Sequence, residues 1–213
     1  MIKALSATLA LLAAPAVAPG FAPGFAGDRA GDFDYWLLAL TWTPSWCAEE
    51  GAWDEPQCRR GLGFTLHGLW PQHAEGGWPE YCDTDAPDPS RRATAAMADI
   101  MGSGGLAFYQ WKKHGRCSGL PPARYFDTSR RLYEALELPA PDDGRATALE
   151  IEAAVLDRNP ALTPDAVIVT CGGGRVEEVR ICLSRDFAPR DCAADVLRSA
   201  CRARGPLEVP PTD

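Results

Sequence analysis

Phe64-Thr65-Leu66-His67-Gly68-Leu69-Trp70-Pro71-Gln72 is the stretch from which this chain is best read. Residues 61–69 predict a strand entered through glycines and ended by Pro71. The stretch carries one of only three histidines. A second lies in Phe108-Tyr109-Gln110-Trp111-Lys112-Lys113-His114-Gly115-Arg116-Cys117. Both histidines have aromatic neighbours and are followed by glycine. Two imidazoles can serve as general acid and general base, because an unperturbed ring titrates at about 6.5. Lys113 adds a cation for an anionic transition state. This inventory suits chemistry at a phosphodiester.

The surrounding segments predict a mixed fold. Residues 34–42 read as a buried strand, and residues 166–170 and 176–183 as strands flanking Gly172-Gly173-Gly174. That triple glycine reads as a hairpin turn, since no Gly-Lys-Ser/Thr follows to make a phosphate loop. Residues 73–90, rich in Gly, Pro and Asp, predict a loop pinned by Cys82. Helices are predicted over residues 91–101, 106–114, 123–136 and 145–156, the first stopping near Gly102 and the second at Gly115. On the second helix Gln110, Lys113 and His114 cluster on one side, and Phe108 and Trp111 are expected to face the core. The tail from Pro206 is expected to be irregular.

A chain of 213 residues with 46% hydrophobic and 23% charged residues suits one domain with a proper core. Lys3, the short apolar run to Ala14 and the small residues after it predict a secretory signal, cut after Ala18 or Ala26. Residues 1–26 then form a signal and processing segment, residues 27–213 one domain, and the product is secreted or periplasmic. An uncleaved anchor is the alternative, but the apolar run is too short to span a bilayer. Eight cysteines behind a signal predict four disulfides. Spacing alone leaves on the order of a hundred pairings open. A zinc site is disfavoured because no Cys-x-x-Cys pair is present. The net charge of −8 argues against tight non-specific binding to nucleic acid, though not against a nuclease acting on short stretches of RNA. The basic pairs Arg59-Arg60, Arg91-Arg92, Lys112-Lys113 and Arg130-Arg131 read as solvated surface, with Lys113 the exception. His73 reads as an exposed loop histidine without a role.

The segments His67-Gly68-Leu69-Trp70-Pro71 and Trp111-Lys112-Lys113-His114-Gly115-Arg116-Cys117 together resemble the two active-site segments of the ribonuclease T2 family. Phe33-Asp34-Tyr35 through Trp42, followed by Pro44 and Cys47, resembles that family's first strand and its Trp-x-Pro-x-x-Cys ending. Cys171, Cys182, Cys192 and Cys201 resemble its C-terminal half. The resemblance runs from about Phe33 to Cys201. It implies an α+β fold, an antiparallel β-sheet core with packed helices stabilised by disulfides. It implies the pairs Cys82–Cys117, Cys171–Cys201 and Cys182–Cys192, which would leave Cys47 and Cys58 as a local fourth bridge.

The resemblance also implies an endoribonuclease acting on single-stranded RNA through a 2′,3′-cyclic phosphate, with no metal or other cofactor. DNA, which lacks the 2′-hydroxyl, would not react. By this analogy His114 is the general base, His67 the general acid, and Lys113 stabilises the phosphorane. Relatives usually read His-Glu-Trp where this chain has Tyr109-Gln110-Trp111. Gln110 is therefore expected to support catalysis by hydrogen bonding, and Tyr109 to reach substrate through its hydroxyl. Trp70, with Trp111, is expected to pack and position the histidines. Trp42, Trp46, Trp78 and Tyr81 are candidate base-stacking surfaces, with core packing the alternative for each. Thr41 lies where some relatives place a base-contacting residue. Tyr109, Trp70, Trp42 and Thr41 thus make up the expected substrate contacts. A monomer is expected, free of the membrane once the signal is cut. Two other readings compete. A catalytically weak family member could bind RNA or a protein instead, and Tyr109 and Gln110 motivate that view. A metal-dependent hydrolase would need ligands the chain hardly has.

Overall fold

The computed structural model describes residues 28–49, 55–140 and 144–212. The expected signal and processing segment lies outside the described residues. In chain order the elements are β1 (Tyr35–Trp42), α1 (Thr43–Glu49), β2 (Phe64–Gln72), α2 (Arg91–Ala95), α3 (Ala98–Met101), α4 (Gly104–Lys113), α5 (Pro122–Glu134), β3 (Arg145–Ala146), α6 (Ala148–Arg158), β4 (Val167–Gly172), β5 (Arg175–Leu183), α7 (Ala194–Arg198) and β6 (Leu207–Glu208). The fold is α+β. β1 pairs antiparallel with β2 on one side and β5 on the other, and β4 pairs antiparallel with β5. Gly173 and Gly174, at φ of 55° and 80°, make the tight β4–β5 turn, a conformation that favours glycine.

Alternation along β1 sorts its side chains between two faces. Trp36, Leu38, Leu40 and Trp42 enter the main core with Leu66, Leu69, Val179, Ile181 and Leu183, under Ala107 and Trp111 of α4. Tyr35 and Leu37 point the other way, into a smaller cluster with Ile168, Cys182 and Val196. Thr41 shares this second face, so Thr41 and its neighbour Trp42 look in opposite directions.

The β1–β2 register jumps between Ala39 and Leu40, which face Gly68 and Leu66 respectively. His67 is the extra residue in this β-bulge. The bulge explains how Leu66 and Leu69, three apart, both enter the core, which strict alternation forbids. It also turns His67 and Gly68 together toward the opposite face, a common use of bulges beside functional sites.

Several boundaries differ from the sequence reading. Pro71 does not end β2; it pairs with Trp36. β2 borders the sheet, and an edge strand tolerates a residue without an N–H. Residues 91–101 form two short helices separated at Ala96 and Met97. α4 starts at Gly104 because the Ser103 hydroxyl accepts the Leu106 N–H at 3.1 Å. α6 starts at Ala148, where Thr147 and Glu150 form a reciprocal capping box. Arg145 and Ala146 are then free to pair with Leu207 and Glu208, giving order to part of the tail. Phe108 is exposed, whereas Trp111 is buried as expected. His73 is half-buried in the turn after β2, not exposed.

All eight cysteines are paired, as Cys47–Cys58, Cys82–Cys117, Cys171–Cys201 and Cys182–Cys192. The second bridge ties the loop after β2 to the turn after α4. It thereby fixes the two histidine-bearing segments against each other. Among the described residues no helix is long and apolar enough to cross a membrane.

Candidate active site

α4 packs against β2 and brings His114, at its C-cap, beside the outward face of that strand. The Trp70 indole is the common neighbour of both histidines. Its ring centre lies 5.0 Å from the ring of His67 and 5.1 Å from that of His114. Trp70 Nε1 donates to Gln110 Oε1 at 2.7 Å, which locks the indole to α4. Gln110 is buried and acts here as an acceptor.

The glycine after each histidine answers to close packing. A Cβ on Gly68 would stand 2.2 Å from Trp70 Nε1 and 2.7 Å from Gln110 Oε1. A Cβ on Gly115 would stand 2.7 Å from Trp111 and 2.9 Å from Tyr125. Tyr125 in turn donates its hydroxyl to the Leu69 carbonyl at 2.9 Å, bracing α5 against β2.

His67 and His114 occupy unlike surroundings. His67 is half-buried, and its Nδ1 lies 2.5 Å from Glu178 Oε1. Glu178 is buried on β5 and faces Thr41 in register. Two N–H groups of Arg180 reach its other oxygen, at 2.8 Å from Nε and 2.7 Å from Nη2. The Thr41 hydroxyl donates to Oε1 at 3.3 Å. Burial alone would raise the Glu178 carboxyl, but the hydrogen bond and charge of His67, with Arg180, outweigh it and hold the pKa down at about 2. The carboxylate is thus ionised, and it fixes the His67 ring through a proton on Nδ1, leaving Nε2 for other work.

His114 is 5% exposed, and its Nδ1 has no hydrogen-bond partner among the described residues. Burial, then the charges of Lys113 and His67, push its pKa down to about 3. This imidazole is therefore neutral across mildly acidic and neutral pH.

A cavity of about 500 Å³ is lined by both histidines together with Trp70, Gln110, Lys113 and Arg180. Gln72, Trp78 and Tyr109 extend its wall. A second cavity of about 460 Å³ shares His67 but not His114, and is lined by Thr41, Trp46, Thr65 and Leu106 among others. The Lys113 ammonium lies 3.6 Å from Glu80 Oε2, which also accepts from Trp78 Nε1 at 3.2 Å. A carboxylate therefore does sit beside Lys113, but it comes from the loop after β2 and not from position 110.

The structure brings together His67, His114, Lys113, Gln110, Tyr109 and Trp70 at one cavity. It places Thr41 on the wall of the other. Trp42 is the correction. It is 2% exposed, packs edge-on against Phe64 with ring centres 4.8 Å apart, and donates Nε1 to the Pro210 carbonyl at 3.0 Å. No face of its ring is open to a base, because strand alternation that turns Thr41 to the cleft turns Trp42 into the core. Glu178 and Arg180 escaped the sequence reading. Their signal was the i, i+2 spacing, which puts both charges on the same strand face as Cys182.

The Ribonuclease T2 family model matches residues 33–192. A "Ribonuclease" of Aeromonas hydrophila is 40% identical over 108 residues, covering 51% of this chain and 48% of that protein. The chain spans about half the length of the curated relatives it matches in this way. Among solved structures, an RNase-related protein from Calystegia sepium superposes with a TM-score of 0.65 at 22% identity, covering 85% of this chain and 98% of that one. RNase NT, solved in complex with 5′-AMP, superposes with a TM-score of 0.59 at 21% identity, covering 84% and 99%. These two likenesses bear on the fold.

Proposed function

The chain belongs to the ribonuclease T2 family, and from that premise we propose that it is an exported endoribonuclease cleaving single-stranded RNA by transesterification. The observation that carries this reading is the pair of histidines on one tryptophan, one tied to a buried carboxylate and the other neutral with a pKa of about 3. Environments that push two titratable groups apart set acid and base roles. His114, neutral, takes the proton of the ribose 2′-hydroxyl. The freed oxygen attacks the adjacent phosphorus, the bond to the 5′-oxygen breaks, and His67 delivers a proton to that leaving oxygen. The product is a 2′,3′-cyclic phosphate. Water can then add with the two roles exchanged, giving a 3′-phosphate. Each proton transfer contributes about 10²–10⁴-fold. Lys113 stabilises the charge gathering on the phosphorane, and Gln110 keeps Trp70 in place between the reacting groups.

These roles assign the two cavities. The nucleoside whose 2′-hydroxyl reacts belongs with His114, where Trp78 offers a half-exposed ring for stacking. The departing nucleoside belongs in the cavity that has His67 alone, beside Thr41. The nucleotide held by RNase NT is of the class such cavities would take. Four disulfides are consistent with an oxidising compartment outside the cytosol, and we take the working form to be a monomer.

The test is incubation of the oxidised protein with total RNA from pH 4 to 8 in EDTA, beside a His114→Ala variant. The expected result is degradation to 2′,3′-cyclic ends, lost in the variant. Absence of cleavage at every pH would favour the binding-protein reading that Gln110 and Tyr109 motivate.

A further inference from the structure

Four exposed aromatic side chains stand out among the described residues: Trp78, Tyr81, Phe108 and Tyr109. All four lie on the loop after β2 or on α4, the two segments that border Lys113. Trp78 and Tyr109 line the cavity that holds His114, and Tyr81, which does not, neighbours Tyr109. Tyr109 is the neighbour of the Tyr81 hydroxyl, and its influence raises the Tyr81 pKa. Tyr81 also has φ of 51°, a left-handed conformation that is a genuine outlier for a bulky ring. Its backbone is held there by an N–H donated to the Lys113 carbonyl at 2.8 Å and by the adjoining Cys82–Cys117 bridge. An outlier maintained by surrounding structure is a reason to ask what the side chain does. Here the enforced conformation presents a ring, half exposed, next to a reactive cleft.

We infer that Tyr81 and Tyr109 form a stacking platform for an unpaired nucleobase, one step 5′ of the nucleotide whose 2′-hydroxyl reacts. The 5′ direction follows from the cavity it continues, since that cavity holds the base His114. The inference rests on the ribonuclease reading above. Lys112 and Lys113 adjoin the platform, but each is paired with a carboxylate, Asp88 at 3.4 Å and Glu80 at 3.6 Å. The rings, rather than net positive charge, therefore supply the attraction. Stacking of this kind tolerates any base, because every base has a π-face.

The test uses oligomers with a single ribose in an otherwise 2′-deoxy chain, so that only one bond can be cut. A dinucleotide is compared with trinucleotides carrying one extra nucleotide on the 5′ or the 3′ side. In the wild type the extra 5′ nucleotide should raise kcat/KM by about 5- to 100-fold, and the gain should persist when salt is raised. An abasic residue at that position should abolish the gain. So should Tyr81→Asn, which removes the ring while suiting the left-handed backbone; Tyr81→Phe should keep it. Cleavage of the dinucleotide should be the same in wild type and both variants. A gain that survives Tyr81→Asn, that survives the abasic residue or that disappears in salt overturns the platform. So does the absence of any gain while the dinucleotide is cut, a result that leaves the ribonuclease reading standing. If the wild type cuts none of these oligomers, the ribonuclease reading fails and the platform falls with it.

Discussion

His67 and His114 touch the same indole, yet one is anchored to a charge and the other is stripped of one. His67 sits on a strand bulge, where a buried carboxylate two strands away holds its Nδ1. His114 sits at a helix end, buried beside a lysine, and its Nδ1 has no partner among the described residues. The chemistry of an imidazole is thus set by its address in the fold. A sheet can deliver a buried anion from a neighbouring strand at fixed register. A helix end packed on aromatic rings delivers desolvation instead.

The contrast can be broken from the His67 side first. Glu178→Gln keeps the shape of the side chain and removes its charge. With the positioning of His67 lost, kcat should fall at least about 10- to 100-fold, the loss seen when the carboxylate that orients a metal-bound histidine is removed. Stability should fall too. The Glu178 carboxyl has a pKa lowered to about 2 in the fold, from 4.5. Its ionised form therefore stabilises the fold fully above about pH 4.5, and that contribution is lost as pH falls toward 2; the shift corresponds to roughly 3 kcal/mol. Thermal melts of wild type and variant should lie well apart at pH 6 and converge toward pH 2. Parallel curves across that range would mean that the carboxylate is not the stabilising group.

The two glycines give a second comparison, of smaller effect. Gly68→Ala drives a methyl into Trp70 and Gln110, and Gly115→Ala drives one into Trp111 and Tyr125. Each should destabilise by about 1–3 kcal/mol. Gly68→Ala should in addition lower kcat, because the indole it displaces is shared by both histidines. Equal kcat for both variants, measured on equally folded protein, would separate Trp70 from the positioning of the site.

The smallest effect is expected on the His114 side. Gln110→Glu adds an anion near this ring, and an anion favours the imidazolium. As the proposed base His114 must be neutral to act, and its pKa of about 3 would keep it competent down to strongly acid pH. In the variant the acid limb of the kcat/KM profile should move up by about one pH unit. A limb that stays put, or moves down, would show that position 110 is not electrically coupled to the base.

Much of this arrangement is legible in the amino-acid sequence. The two histidine segments, Lys113, the principal strands and α4 are local patterns, and the cysteine pairs follow from the family resemblance. What is not legible depends on register. Glu178 is 111 positions from His67. It stands beside Glu177 in a charged stretch, and nothing local says which acid turns toward the histidine. That choice needs the pairing of Thr41 with Glu178 and the bulge at His67, both products of sheet assembly. Pro71 misleads for a related reason, since it stops a central strand but not an edge. Trp42 was within reach. Adjacent strand residues face opposite ways, so Thr41 and Trp42 could not both meet substrate.

The most direct measurement compares a dinucleotide with a nucleoside 3′-(4-nitrophenyl phosphate), in wild type, His67→Ala and His114→Ala. A nitrophenolate leaves without a proton, so it needs no general acid. His67→Ala should lose about 10²–10⁴-fold on the dinucleotide and less than about tenfold on the aryl ester. His114→Ala should lose about 10²–10⁴-fold on both. The reverse pattern, or equal losses for both variants on both substrates, would contradict the assignment of acid and base that the two environments support.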